Sequence, residues 1–241
     1  MKKTILITGI TGDIGYAIAL QFAREGWNIL GQYHSSQRKM QELKRVIEKL
    51  NVKCAFFQAD FFSRIQLANF INNIKKYKIH SLVNNAGGYV VKKHFEKLTT
   101  ENLTDTFMMN TFAPVLITAN LFAQMQKRKY GRIVNISSIA AKYGGSSYSM
   151  HYGCSKRALE GLTKTLAREG AKDNILVNTI RPGVIDTALH KKFPKDMKKR
   201  IRLIPLQKMG KPGDIAKMVF YLASDQNEFI TNEIVTVAGG E

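Results

Sequence analysis

The sequence predicts one α/β domain, a doubly wound sheet of seven parallel strands with helices on both faces, and three observations carry that prediction. Short apolar runs recur near 4–8, 28–33, 53–58, 80–84, 131–137, 174–180 and 234–237, and helical patterns separate most of them. Strands that alternate with helices pair in parallel through right-handed crossovers, which places helices on both faces of one sheet. The first run passes through a glycine-containing turn straight into a helical pattern. Finally, the 241 residues hold no internal repeat, low-complexity segment or Pro/Gly-rich linker, so 1–241 reads as one domain with a sizeable core.

The elements follow in order. Thr4 to Thr8 is β-rich, Gly9, Thr11, Gly12, Asp13 and Gly15 form the turn, and Ile14, Ile18 and Phe22 keep helical spacing. Such a turn suits a phosphate, because glycines let the backbone approach and the helix start offers free N–H groups. An ordinary βα turn has the same pattern, so the rest of the chain must decide. Met1-Lys2-Lys3 does not open a secretory signal, since the apolar run breaks at Gly9, Gly12 and Asp13 without a cleavage pattern. The second strand ends Gly31-Gln32-Tyr33-His34-Ser35-Ser36-Gln37-Arg38, and Asp60 follows the third, before a helix beginning near Ser63. Asp60 suits a turn or cap there. The stretch from Phe107 to Ala123 is the most apolar, but Asn110, Thr111, Pro114 and Asn120 mark it as a buried helix and not a membrane span. Asn110 alone reads as a solvent-facing or helix-bending residue, given Pro114 four positions on. The irregular segment 186–210 lies between the sixth strand and the last helix, where it can cover a ligand bound beyond the strand ends.

The chemistry concentrates at Tyr152 and Lys156, four residues apart and so on one helix face, fourteen residues after Ser138 at the end of the fifth strand. A free tyrosine has a pKa of about 10, and a fixed cation beside it favours the phenolate. The phenol then serves as acid or base. The Tyr–Lys spacing by itself is a weak signal, common on surface helices.

With these motifs in this order, joined by Asn84-Asn85-Ala86-Gly87 and Pro182-Gly183-Val184-Ile185-Asp186-Thr187, the chain resembles the single-domain short-chain dehydrogenase/reductases from Thr4 to Gly240. The resemblance implies a Rossmann fold and hydride transfer between a nicotinamide and a carbonyl or secondary alcohol. It implies that Tyr152 gives a proton to the carbonyl oxygen, Ser138 holds that oxygen, Lys156 lowers the Tyr152 pKa and binds the ribose, and Asn110 holds a water in a proton relay. For the cofactor it implies contacts at Gly9, Thr11, Gly12, Asp13, Ile14 and Gly15 with the pyrophosphate. Asn84, Ala86 and Gly87 would lie at the nicotinamide ribose, Ile185 and Thr187 at the carboxamide, and Asp60 at the adenine, with Phe61, Pro182 and Gly183 completing the site. One departure stands out: Gly12 comes one position early and Asp13 occupies the usual place of a glycine.

The end of the second strand, with Tyr33, His34, Ser35, Ser36 and Arg38, carries no carboxylate to repel a 2′-phosphate, which favours NADPH/NADP over NADH/NAD. No metal is expected. A substrate pocket is expected from Gly88, Tyr89, Val90, Tyr143, Gly144, Met150, His151 and the 186–210 lid. His151 has no part in proton transfer, since successive helix residues point about 100° apart.

The net charge is +19, from 37 Lys and Arg against 18 Asp and Glu. Lys191, Lys192, Lys195, Lys198, Lys199, Arg200 and Arg202 surround Asp196, while Lys127, Arg128, Lys129 and Lys172 add a second basic group. Such fields steer anions, and a solvated lysine-rich surface has the same composition. The run Pro205 to Ala216 and the ending Ile230-Thr231-Asn232-Glu233 are most similar to 3-oxoacyl-acyl-carrier-protein reductases. That likeness implies a carbonyl substrate on an acidic acyl carrier protein, with Arg128, Lys129 and Lys172 contacting the carrier. Sugar, polyol and other secondary-alcohol dehydrogenases share the same motifs, and a non-catalytic dinucleotide sensor is a third alternative. The resemblance also implies a homotetramer built on the fourth and fifth long helices. No nucleic-acid module is recognisable and no membrane partner is expected, and Cys54 with Cys154 suggest free thiols in the cytoplasm.

Overall fold

Alternation along each strand decides the architecture. In the computed structural model, which describes residues 2–188 and 196–241, the strands are β1 (Thr4–Ile7), β2 (Asn28–Tyr33), β3 (Cys54–Gln58), β4 (Ser81–Asn84), β5 (Gly131–Ile136), β6 (Ile175–Pro182) and β7 (Ile234–Val237). Among the described residues they form one parallel sheet of order β3-β2-β1-β4-β5-β6-β7. The expected doubly wound, seven-stranded fold is borne out.

The helices are α1 (Asp13–Arg24), α2 (Gln37–Glu48), α3 (Arg64–Ile74), α4 (Thr100–Phe107), α5 (Ala113–Arg128), α6 (Ala140–Tyr143), α7 (Met150–Gly170), α8 (Met197–Arg202) and α9 (Pro212–Ala223). Ile5 and Ile7 of β1 join one core with Ile18 and Phe22 of α1 and Val219 and Phe220 of α9. Leu6, between them, faces the other core with Leu67 and Phe70 of α3 and Ile117 and Leu121 of α5. Phe22 meets Trp27 and Phe220 edge to face at centroid separations of 5.2 and 4.9 Å. Each buried side chain of this kind contributes about 1.5–3 kcal/mol.

The strand order reverses between β1 and β4, which opens a crevice at their carboxyl ends. Thr8 spans it: its Oγ1 accepts from the N–H groups of Asn85 at 3.0 Å and Ala86 at 2.9 Å. Helix α4 begins with a Thr99–Asn102 capping box and passes through a π turn, Met108–Phe112, into α5. Pro114 explains the widening. It has no N–H, so the Asn110 carbonyl lacks its donor four residues on, and the Ala113 N–H reaches back five residues to Met108. The continuous helix Thr100–Arg128 is long and apolar enough to cross a membrane by composition alone, yet half of its apolar stretch is buried inside the domain.

The two ends of the 186–210 segment meet. The Asp186 N–H donates to the Gly210 carbonyl at 2.9 Å and the Gly210 N–H to Val184 at 3.0 Å. Within the segment, Asp196 caps α8 by accepting from the Lys199 N–H at 3.0 Å. Lys191, Lys192, Phe193, Pro194 and Lys195 of the expected lid lie outside the described residues.

Candidate active site

A cavity of 1120 Å³ runs along the carboxyl ends of the strands, from the β1–α1 turn to Tyr152. Its floor is the glycine turn. Gly9 adopts φ +65°, and a Cβ there would sit 2.8 Å from the Ala86 Cα. A Cβ on Gly15 would sit 2.4 Å from the Gly9 carbonyl oxygen, so both positions require glycine for close packing. Thr11, Gly12, Asp13, Ile14 and Gly15 line the cavity at the start of α1, where unpaired N–H groups and the helix dipole favour an anion.

Asp13 neither caps α1 nor faces away. Its Oδ2 accepts from the Ala188 N–H at 2.7 Å, and Lys39 Nζ lies 3.6 Å from its Oδ1. The carboxylate is therefore partnered on both oxygens.

The far end holds the Tyr–Lys–Ser group. Tyr152 and Lys156 are buried on the first turns of α7, and Ser138 follows β5. Tyr152 shares a hydrogen bond with Ser138, while burial, opposed by that bond and reinforced by neighbouring Tyr89, holds its phenol above the usual tyrosine range. Lys156 is lowered from 10.5 to about 8 by burial, and its Nζ donates to the Ile136 carbonyl at 2.8 Å. This corrects the expectation that Lys156 lowers the tyrosine pKa. Desolvation acts on both groups and disfavours both charged forms, and the Lys156 amine is turned to the β5 backbone. Gly87 lets this amine approach: a Cβ there would sit 2.8 Å from Nζ.

Most expected cofactor residues line the cavity, namely Gly9 to Gly15 as described, His34, Asp60, Phe61, Ala86, Gly87, Pro182, Gly183, Ile185 and Thr187. Asp60 also closes the local turn it suggested, accepting from the Phe62 N–H at 2.9 Å. Four positions differ. Tyr33 is buried in the core, because strand alternation turns it away from the crevice. Ser35 is exposed outside the cavity, and Arg38 points to solvent, paired with Glu42 at 3.1 Å. Asn84 is buried behind the site, donating to Thr118 at 3.0 Å and Asn135 at 2.8 Å, and its neighbour Asn85 lines the cavity instead. The Asn110 side chain clamps the Gly88 backbone, accepting from its N–H at 2.9 Å and donating to its carbonyl at 3.1 Å.

Lys39, Ser36 and Gln32 join His34 at the β2 end of the cavity. Lys39 stands one residue past Arg38, and the turn of about 100° per helical residue carries it to the cavity side. Gln32 holds the glycine turn, accepting from the Gly9 N–H at 2.8 Å and donating to the Ala59 carbonyl at 2.7 Å. A polar residue inside an apolar strand was the available signal.

On the substrate side Gly88, Tyr89 and Tyr143 line the cavity as expected, with Met109, Lys92, Tyr148 and Arg200 as further neighbours. Val90, Gly144 and Met150 do not line it, and His151 is buried with its Nε2 2.9 Å from the Val91 carbonyl. Arg128 and Lys129 lie where α5 hands over to β5, and Lys172 where α7 hands over to β6. This is the amino-terminal edge of the sheet, opposite the cavity of the same chain. Arg128 donates to the Ile79 carbonyl and Lys129 pairs with Asp173.

Comparison with known proteins agrees with this geometry. Residues 9–241 match a family model described as enoyl-(acyl carrier protein) reductase. The 3-oxoacyl-[acyl-carrier-protein] reductase FabG of Aquifex aeolicus is 32% identical over 241 residues, covering 99% of this chain and 96% of its own. The solved structure of ElxO with NADP bound superposes with a TM-score of 0.88 at 32% identity, covering 100% of this chain and 98% of its own. NAD+-bound xylitol dehydrogenase superposes with a TM-score of 0.88 at 26% identity, covering 99% and 98%.

Proposed function

The chain belongs to the short-chain dehydrogenase/reductase family, and from that premise we infer an NADPH-dependent oxidoreductase that reduces the ketone of a 3-oxoacyl thioester carried on acyl carrier protein. The observation that carries this is the buried Tyr152 phenol, hydrogen-bonded to Ser138 at the end of a cavity that starts on a phosphate-binding turn. A phenol held above its usual pKa is protonated at neutral pH and poised to donate. Ser138 adds a second donor at the same oxygen, so a carbonyl oxygen gaining charge is met from two sides.

A bound nicotinamide dinucleotide would supply the hydride. The residues present fit it: the Gly9–Gly15 turn would hold the pyrophosphate, Gly87 and Lys156 the ribose, and Ile185 with Thr187 the carboxamide. At the adenosine end His34, Ser36 and Lys39 give a 2′-phosphate a cation and hydroxyl, in place of Ser35 and Arg38. After proton donation, Lys156 stands one helical turn below Tyr152 to return the proton. The family resemblance gives Asn110 the water that would join that relay.

The FabG relative supports a carrier-bound substrate, and the basic composition suits an acidic carrier. Exposed Leu103, Phe112 and Leu116 along the continuous helix 100–128, the fourth long helix, support assembly into a homotetramer through it and α7, the fifth. Free Cys54 and Cys154 suit the cytoplasm.

NADPH and NADH oxidation with acetoacetyl-acyl carrier protein, acetoacetyl-coenzyme A, a crotonyl thioester and small ketones or ketoses, at low and high salt, tests the proposal. NADPH-dependent turnover of the acetoacetyl carrier that weakens with salt supports it. Turnover of the crotonyl thioester alone reassigns the chain to enoyl reduction, and turnover of ketoses alone to polyol metabolism. A Tyr152→Phe variant that keeps full in-cell function while binding NADPH would mark a sensor.

A further inference from the structure

Tyr89 lies directly against the catalytic tyrosine. The two rings are 4.3 Å apart at their centroids and inclined by 33°, a tilted contact that sets the Tyr89 ring against Tyr152. Both ends of Tyr89 are fastened. Its hydroxyl bonds the Ser149 side chain, immediately ahead of α7 and one helical turn before Tyr152. Ser149 is itself held, its Oγ accepting from the Ser146 N–H at 2.9 Å. The backbone before Tyr89 is the Gly88 peptide that Asn110 grips by both its N–H and its carbonyl. Burial then shields the Tyr89 phenol as well.

Resting on the carbonyl-reductase assignment above, we propose that Tyr89 is the specificity-determining wall of the substrate site. Its ring occupies the space over Tyr152 that a wide group next to the reacting carbonyl would need, so the site takes carbonyl compounds with slender, unbranched substituents on that side. A linear 3-oxoacyl chain meets this requirement. An aryl ketone does not, because its ring would have to share the space that Tyr89 already fills. Asn110, which grips the Gly88 peptide, acts through Tyr89 as a positioning residue.

Ethyl acetoacetate and ethyl benzoylacetate differ by a methyl against a phenyl at the reacting carbonyl and so report on the wall. In Tyr89→Leu, kcat/KM for the phenyl ester relative to the methyl ester should rise at least tenfold, with the NADPH Kd unchanged. Tyr89→Phe should keep the parent ratio, and Tyr89→Trp should lower it, which reads the same wall if the leucine variant does not fold. Ratios within twofold of the parent in both Leu and Trp variants would overturn the proposal. Calorimetric titration of the same esters into the NADP+ complex reads the preference as Kd without turnover. A parent complex that binds the methyl ester in preference but reduces neither ester sinks the reductase assignment while supporting the wall. A complex that binds neither ester overturns the wall.

Discussion

Replacing Lys156 by methionine should abolish turnover and yet stabilise the protein near neutral pH. The folded-state amine sits at about 8 against 10.5 because burial removes its hydration. The unfolded chain therefore holds the proton more tightly than the folded one. Below about pH 8 the full penalty applies, about 3 kcal/mol at 1.36 kcal/mol per pKa unit. It fades as pH rises toward 10.5, so this group makes the parent protein gain stability with pH across that window. Methionine removes the penalty at every pH but leaves the Ile136 carbonyl without its donor, a loss of about 1–3 kcal/mol. Near pH 7 the variant should lie between parity and about 2 kcal/mol above the parent, a Tm increase of up to roughly 8 °C for a chain of this size. Near pH 10 the sign reverses, because most of the ionisation penalty has gone and the lost hydrogen bond remains. The difference in Tm, variant minus parent, should fall by roughly 5–10 °C between these pH values. Paired thermal melts by circular dichroism in matched buffers read it, since the other titrating groups cancel in the difference. A Tm difference that stays constant with pH would refute a buried, proton-poor Lys156.

The same two groups set a pH profile. Ketone reduction should decline as pH rises past about 8, where Lys156 loses the proton it returns to Tyr152, while alcohol oxidation should rise with pH; initial rates in both directions check this. Lys39→Glu should raise the KM for NADPH by about tenfold or more and spare NADH, by placing a carboxylate at the 2′-phosphate position, whereas Arg38→Glu should stay within about twofold. Equal effects at the two positions would contradict the side-chain directions seen here. Glu160 is a buried carboxylate that takes two bonds of 2.6 Å from Arg181 and one of 2.8 Å from Ser137. Glu160→Ala leaves the arginine unpaired and should lower stability by about 3–5 kcal/mol, a Tm drop on the order of 10 °C by calorimetry.

The sheet was legible because strands covered on both faces read as short apolar runs between helical patterns, as Ile5, Leu6 and Ile7, buried in opposite cores, illustrate. Helix spacing likewise placed Tyr152 and Lys156 on one turn. What failed depended on direction and register. Arg38 and Lys39 are chemically interchangeable in a sequence, and only the start of α2 at Gln37 decides which of them turns to the cavity. Asn84 looked like its neighbour Asn85 until the register of β4 against β5 set it opposite Asn135, where the two amides bond and bury each other. Arg128 and Lys129 were assigned to the carrier by likeness to relatives, and only the topology shows that the end of α5 lies at the edge of the sheet opposite the cavity of the same chain. The pKa relation between Lys156 and Tyr152 was misjudged for another reason: proximity of a cation was visible in the spacing, whereas the depth of burial, which dominates both groups, was not.

Asp13 shows how a departure from a motif becomes intelligible only in three dimensions. A carboxylate in a turn that receives a pyrophosphate repels it, and at that position in sequence it argues against nucleotide binding. In the fold its two oxygens are engaged by the Ala188 N–H and the Lys39 ammonium. The repulsion is thereby offset by groups drawn from two other elements. One of those partners follows Thr187, the proposed carboxamide contact, and the other is Lys39, beside the proposed 2′-phosphate position. On that proposal Lys39 would be a shared cation, divided between Asp13 and the 2′-phosphate. Removing the carboxylate in Asp13→Ala releases Lys39 to the phosphate and should tighten NADP+ binding, while loosening the hold on the segment after β6. Fluorescence titration of NADPH into Asp13→Ala and into Asp13→Ala combined with Lys39→Ala separates the two effects. A gain in affinity that survives the loss of Lys39 would mean that simple charge removal, and not a freed lysine, accounts for it.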